Sequence, residues 1–213
     1  MNAHQPAIVN LQPEHAPQAA TLHCATLEGL LTVLGPSTAQ LFYAGAATSR
    51  CAFGFVAIDA GVVVGVVLGS IQPSHLKSEV VKKHPCKTAL TLGMSMLRRP
   101  IALWWLVQAA LRPETDAYDC SAPELTYLAV SPTHQGKGLG RELIKTFNLA
   151  LRNAGIARYE LSVDDDNPSA IAFYERLGFV RIGTYHEFGR YHFRYEQDLR
   201  TAEEQESNTE VSR

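Results

Sequence analysis

The run Gln135-Gly136-Lys137-Gly138-Leu139-Gly140, preceded by Glu124-Leu125-Thr126-Tyr127-Leu128-Ala129-Val130 and Ser131-Pro132, decides how this chain is read. The first seven residues are rich in apolar and β-favouring side chains and read as a strand. Ser131-Pro132 ends it, because proline has no N–H to give a ladder. After the glycines, Leu139, Leu143, Phe147, Ala150 and Ala154 recur at three- or four-residue intervals, one face of a helix, and Gly155 is a natural stop. Glycines without Cβ atoms let a ligand approach the backbone. The helix they open begins with unpaired N–H groups and a positive dipole end. Strand, glycine turn and helix start together make an anion site suited to phosphate or pyrophosphate.

Working outward, Ala7 to Leu11 reads as a strand and Pro13 to Leu31 as one helix. Gly35-Pro36-Ser37 opens a further helix over Ser37 to Ala47. Phe53 to Ile58 and Val62 to Ile71 form a hairpin around Asp59-Ala60-Gly61. Pro73 to Tyr118 is a helical insertion cut by Pro85, Pro100 and Pro113. Beyond the glycine run, Arg158 to Val163 is a strand. Asn167-Pro168 is a helix cap followed by a proline at the first helical position, and Gly178 ends that helix. Phe179 to Glu187 and Arg190 to Gln197 form a last antiparallel pair. The order predicts a mixed sheet with helices on both faces.

The chain has 213 residues, 46% hydrophobic and 19% charged, with a net charge of −2. That fits one α/β domain over 1–200, with 73–118 as its insertion and the polar stretch 201–213 as a disordered tail. Neither a basic run nor a basic balance points to nucleic acid. Cys24, Cys51, Cys86 and Cys120 are scattered without metal-ligand spacing, so no metal is expected and a reducing, cytoplasmic location is. The N-terminus shows no basic and apolar leader pattern. The apolar run Ile101 to Leu111 falls short of the roughly 20 residues a bilayer crossing needs. Trp104-Trp105 within it reads as a buried brace. The alternatives are an apolar acceptor pocket, a homodimer face or membrane-surface contact through 98–112, where Arg98, Arg99 and Arg112 flank the run.

A dinucleotide site wants Gly-x-Gly-x-x-Gly, but position 141 is Arg and the surroundings are not repeated parallel units. The phosphate-loop string ending in Gly-Lys-Ser/Thr is absent. The run does fit Gln/Arg-x-x-Gly-x-Gly/Ala through Gln135, Gly138 and Gly140. With the strand before it, Asn167-Pro168-Ser169-Ala170 and Phe173-Tyr174-Glu175-Arg176-Leu177-Gly178-Phe179 after it, the chain resembles the GCN5-related N-acetyltransferase (GNAT) superfamily. The strong resemblance spans Glu124 to Gln197, with weaker agreement from Ala7 to Ile71. It implies an α+β fold with a mixed, mostly antiparallel sheet of about seven strands.

The resemblance also implies an N-acetyltransferase moving an acetyl group from acetyl-coenzyme A to a small-molecule or peptide amine in a ternary complex. Gln135, Gly136, Lys137, Gly138, Leu139, Gly140 and Arg141 would hold the pyrophosphate. Leu128, Ala129 and Val130 would pair with the pantetheine arm at a bulge that splays this strand from the next, an N–H near Val130 serving as oxyanion donor. Asn167 and Ser169 would border the arm, Asn167 also capping its helix. Tyr174 would be the general acid for the leaving thiolate and Glu124 a general base for the ammonium. Alternation puts Glu124, Thr126, Leu128 and Val130 on one side, and Leu125, Tyr127 and Ala129 on the other. Phe173 is expected in the core. Asp164, Asp165 and Asp166 read as a solvated loop, the alternative being attraction of a cationic acceptor, and His134, His186 and His192 read as bystanders. The competing reading is an acyl-coenzyme A sensor without catalysis. A longer acyl donor and the acceptor's identity stay open.

Overall fold

The computed structural model describes residues 5–83, 85–98, 122–187 and 189–200. Seven strands make one sheet: β1 (Ala7–Asn10), β2 (Ala52–Asp59), β3 (Val62–Ser70), β4 (Glu124–Val130), β5 (Arg158–Asp164), β6 (Val180–Glu187) and β7 (Arg190–Asp198). Their order is β1-β2-β3-β4-β5-β7-β6. β4 and β5 run parallel and the other neighbours antiparallel, so the sheet is mixed as expected. The helices are α1 (Ala16–Thr26), α2 (Leu30–Leu34), α3 (Pro36–Ala46), α4 (Pro73–Lys83), α5 (Pro85–Arg98), α6 (Leu139–Asn153) and α7 (Pro168–Arg176). Part of the helical insertion is thus seen in α4 and α5. Trp104, Trp105, Cys120 and the tail 201–213 lie outside the described residues.

The sheet separates two apolar clusters. On one face α1 and α3 bury Ala19, Leu22 and Tyr43 against Val56, Val66 and Leu68. On the other, α6 buries Leu143, Ile144, Phe147 and Leu151 against Val67, Tyr159 and Leu161. Each such side chain contributes about 1.5–3 kcal/mol through lost contact with water. The strict α6 spacing therefore sets which face of the glycine-opened helix meets the sheet.

Two expectations need correction. The helix expected through Leu31 stops at Thr26: Leu27 is extended, and Gly29, at φ +120°, restarts the chain as α2. Second, the β3–β4 register passes from Leu68↔Tyr127 to Gly69↔Leu125, leaving Thr126 as an extra, bulged residue. One inserted residue reverses the alternation before it. Leu125 therefore joins Leu128 and Val130 on the α6 face, while Tyr127 and Ala129 pack on the α1 face.

No helix among the described residues is long and apolar enough to cross a membrane. Nor do the described residues place three or more His, Cys, Asp or Glu side chains for a metal ion.

Candidate active site

β4 and β5 are in register at a single pair, Glu124↔Glu160, where the Glu160 N–H donates to the Pro123 carbonyl at 2.8 Å. Beyond it the parallel strands part toward their C-terminal ends. The Ser131 N–H donates to Val64 O of β3 at 2.8 Å. Backbone alternation then commits Ala129 and Tyr127 to β3 and turns the N–H and C=O groups of Leu128 and Val130 into the opening. The Val130 carbonyl accepts a hydrogen bond from Gln135 Nε2 at 2.9 Å, which ties the glycine loop to the strand end.

Each glycine of the loop has a separate reason. Gly136 (φ +71°) and Gly138 (φ +85°) occupy left-handed conformations that L side chains adopt only with strain. A Cβ on Gly140 would sit 3.3 Å from the Phe173 ring, so its absence lets α6 approach α7. Among the described residues, the N–H groups of Gly136 through Arg141 have no backbone acceptor. They converge at the start of α6, which adds its dipole.

This loop, the end of β4 and the start of α7 enclose a cavity of 600 Å³. Leu128, Val130, Gln135, Gly136, Gly138, Leu139, Gly140, Arg141, Ser169 and Tyr174, all singled out from sequence, line it. A second cavity, of 580 Å³, opens on the other side of the splay. It meets the first at Leu128, Ala170 and Tyr174, and Asn167 lines it while accepting from the Ala170 N–H at 3.1 Å as the α7 cap.

Three singled-out residues reach neither lining. Ala129 turns its methyl to the α1 face and pairs its backbone with Val66. Lys137 donates from Nζ to the Thr133 carbonyl at 2.7 Å. Glu124 is buried, with Oε1 2.7 Å from Arg194 Nη1. Phe173, expected in the core, lines the first cavity because Gly140 offers no side chain to cover its ring.

Tyr174 is buried where the cavities meet, edge-on to Phe173 and Phe179. Burial holds its phenol well above the ordinary 10.0, so it keeps its proton at neutral pH. Among the described residues its hydroxyl has no hydrogen-bond partner.

The second cavity is lined by Ser162, Arg190 and Glu28, which sequence reasoning passed over, together with Thr126 and with Asp164 and Asp166 of the acidic loop. Arg190 Nη1 bridges Glu28 Oε2 at 2.9 Å and Asp164 Oδ2 at 3.2 Å. His192 places Nδ1 2.9 Å from Asp164 Oδ1 and Nε2 3.3 Å from the Glu187 carbonyl. Two acceptors on one ring require both nitrogens to donate, the imidazolium state. The only sequence signal was the alternation of β5 and β7, which faces Asp164 toward His192 and Ser162 toward Arg194 across the ladder.

Burial alone would lower the His192 pKa, but Asp164 and the Glu187 carbonyl outweigh it and leave it above 6.5. Asp164 is held below 3.8, first by the His192 hydrogen bond, with Arg190 adding to it. A raised histidine contributes its stability fully below its unfolded value and loses it as pH rises through the folded one. A lowered aspartate contributes above its unfolded value and loses it as pH falls. The pair is therefore strongest between 3.8 and 6.5. The melting-temperature gap between wild type and His192→Gln should be widest near about pH 5.5 and shrink by about pH 9. A gap that widens with rising pH would contradict the pairing.

Residues 108–179 match the family described as Acetyltransferase (GNAT) family. The chain superposes on the crystal structure of SsHAT with a TM-score of 0.62 at 25% identity, covering 92% of this chain and 100% of that one. Over residues 108–179 the chain is similar to the GNAT family. The glycine loop and the strand before it lie inside the matched span. A second solved structure shares the fold: the PaiA N-acetyltransferase from Thermoplasma acidophilum in complex with coenzyme A, with TM-score 0.58, 13% identity, and 90% of this chain and 98% of that one covered. In sequence the chain is 38% identical over 125 residues to a mycothiol acetyltransferase of Beutenbergia cavernae, covering 54% of this chain and 42% of the relative. The chain thus spans less than half the length of that relative.

Proposed function

We propose that the protein is an acetyl-coenzyme A dependent N-acetyltransferase that transfers the acyl group directly to an amine. The observation that carries the reading is the junction of the two cavities at Tyr174, with the Leu128 and Val130 N–H groups facing the opening. The first cavity fits the donor. The N–H groups of Gly136 to Arg141 meet the pyrophosphate oxygens, with the Arg141 charge beside them. The strand edge at Leu128 and Val130 takes the pantetheine amides as an added strand would. The thioester supplies the activated acyl group.

The second cavity takes the acceptor. The amine nitrogen attacks the thioester carbon, the Val130 N–H stabilises the oxyanion, and the C–S bond breaks. Tyr174 gives its proton to the leaving sulfur, and the ammonium proton leaves to water in the polar cavity. Glu124 is not assigned the base, because Arg194 occupies its Oε1 and it lines neither cavity. The carboxylates of Glu28, Asp164 and Asp166 favour a cationic acceptor. Given the name of the relatives, amines related to mycothiol come first in an acceptor panel.

Incubation with acetyl-coenzyme A and an amine panel should release free thiol in proportion to acetylated amine. Tight coenzyme A binding with no thiol release for any amine would favour a sensor instead. Failure to bind coenzyme A would sink both readings.

A further inference from the structure

The strands that part to form the opening are held together at its vertex by one side chain. Arg194 of β7 is 1% exposed and lines neither cavity. It reaches across β5 to β4. Its Nε donates to Glu160 Oε2 at 2.6 Å, and its Nη1 to Ser162 Oγ at 2.8 Å and to Glu124 Oε1 at 2.7 Å. Glu124 and Glu160 are the pair at which the β4–β5 ladder ends. A buried and a half-buried carboxylate side by side would drive the strands apart, and a guanidinium between them reverses the sign of that interaction. The two carboxylate bonds come from separate nitrogens of one rigid plane, so they fix an angle as well as a distance.

We propose that Arg194 is a positioning residue that sets how far β4 and β5 open, and hence where the Leu128 and Val130 N–H groups stand. The inference rests on the reading that this opening receives an acyl-coenzyme A. From Glu124 to Val130 the strand extends about 20 Å, so a swing of about 3° at the vertex moves the Val130 N–H by about 1 Å. A misplacement of that size costs about 100-fold in a reaction that depends on alignment.

Arg194→Lys tests this. It keeps the charge but presents one ammonium in place of the Nε and Nη1 donors. Amide exchange of Glu160, whose N–H closes the β4–β5 contact, should accelerate about 100-fold while amides of the β2–β3 ladder keep their rates. Coenzyme A should bind about tenfold more weakly, and turnover should fall further than affinity does. A uniform acceleration of all strands, or an unchanged Glu160 rate with unchanged coenzyme A affinity, would overturn the proposal. Should Arg194→Lys not fold, the triple variant Glu124→Gln, Glu160→Gln, Arg194→Met, which leaves no charge at the vertex, supplies the same readouts, and the same two results in it would overturn the proposal. A wild type that ignores coenzyme A while Glu160 exchange still responds to Arg194→Lys would overturn the acyltransferase reading and uphold the pin.

Discussion

Replacing Tyr174 with phenylalanine should lower turnover about 100- to 1,000-fold, the range general acid catalysis spans, while coenzyme A affinity stays within about threefold. The change removes one oxygen. The ring keeps its edge contacts with Phe173 and Phe179, and the fold should not notice. Tyr174 lines both cavities, the ones proposed for donor and acceptor. Burial keeps its phenol protonated at neutral pH, the state the proposed general acid requires. Steady-state kinetics with saturating acetyl-coenzyme A and calorimetric titration of coenzyme A separate the two quantities. Equal losses in turnover and affinity would make Tyr174 a packing residue. Unchanged turnover would remove it from the chemistry.

The part of this site that could be read from sequence is the part whose chemistry is local. Glycines at 136 and 138 announce positive φ angles, Asn167-Pro168 announces a cap, and the α6 spacing announces a buried face. Each is a statement about a residue and its near neighbours, and each has its counterpart in the fold. Glu124 was misplaced for a different reason. Its neighbourhood depends on a bulge at Thr126 and on Arg194, 70 residues away in the chain. Strand alternation cannot anticipate an inserted residue, and a lone arginine on a strand reads as solvent-facing until its neighbours are known. The same holds for His192 with Asp164 and for Arg190 with Glu28, pairs that exist only once β5, β7 and the α1–α2 loop are brought together. The break of α1 at Leu27, which delivers that loop to the second cavity, turned on Gly29 within an otherwise helical pattern.

Gly69→Ala should be the most destabilising single-methyl change in the sheet. Gly69 lies opposite Leu125, next to the bulge. A Cβ there would come 2.5 Å from the Glu124 carbonyl oxygen and still closer to the Phe147 ring. Neither neighbour can give way cheaply. The first is backbone at the vertex of the β4–β5 opening. The second is 1% exposed and wedged edge-on against Tyr159. Overpacking at such a site costs about 3 kcal/mol, which for a chain of this size lowers the melting temperature by about 6–12 °C. Gly93→Ala is the matched control. Gly93 is inside α5 and, among the described residues, nothing lies within 4 Å of its Cβ position, so the same methyl should stabilise by about 0.5–1 kcal/mol. Thermal melts of the two variants should therefore move in opposite directions. Because the Gly69 clash pushes on Glu124, it also pushes on the opening. The folded fraction of Gly69→Ala should bind coenzyme A more weakly than wild type, while Gly93→Ala binds it unchanged. A Gly69→Ala melt within about 2 °C of wild type would mean that β4 can shift at its bulge without loss, and that the vertex is not rigid.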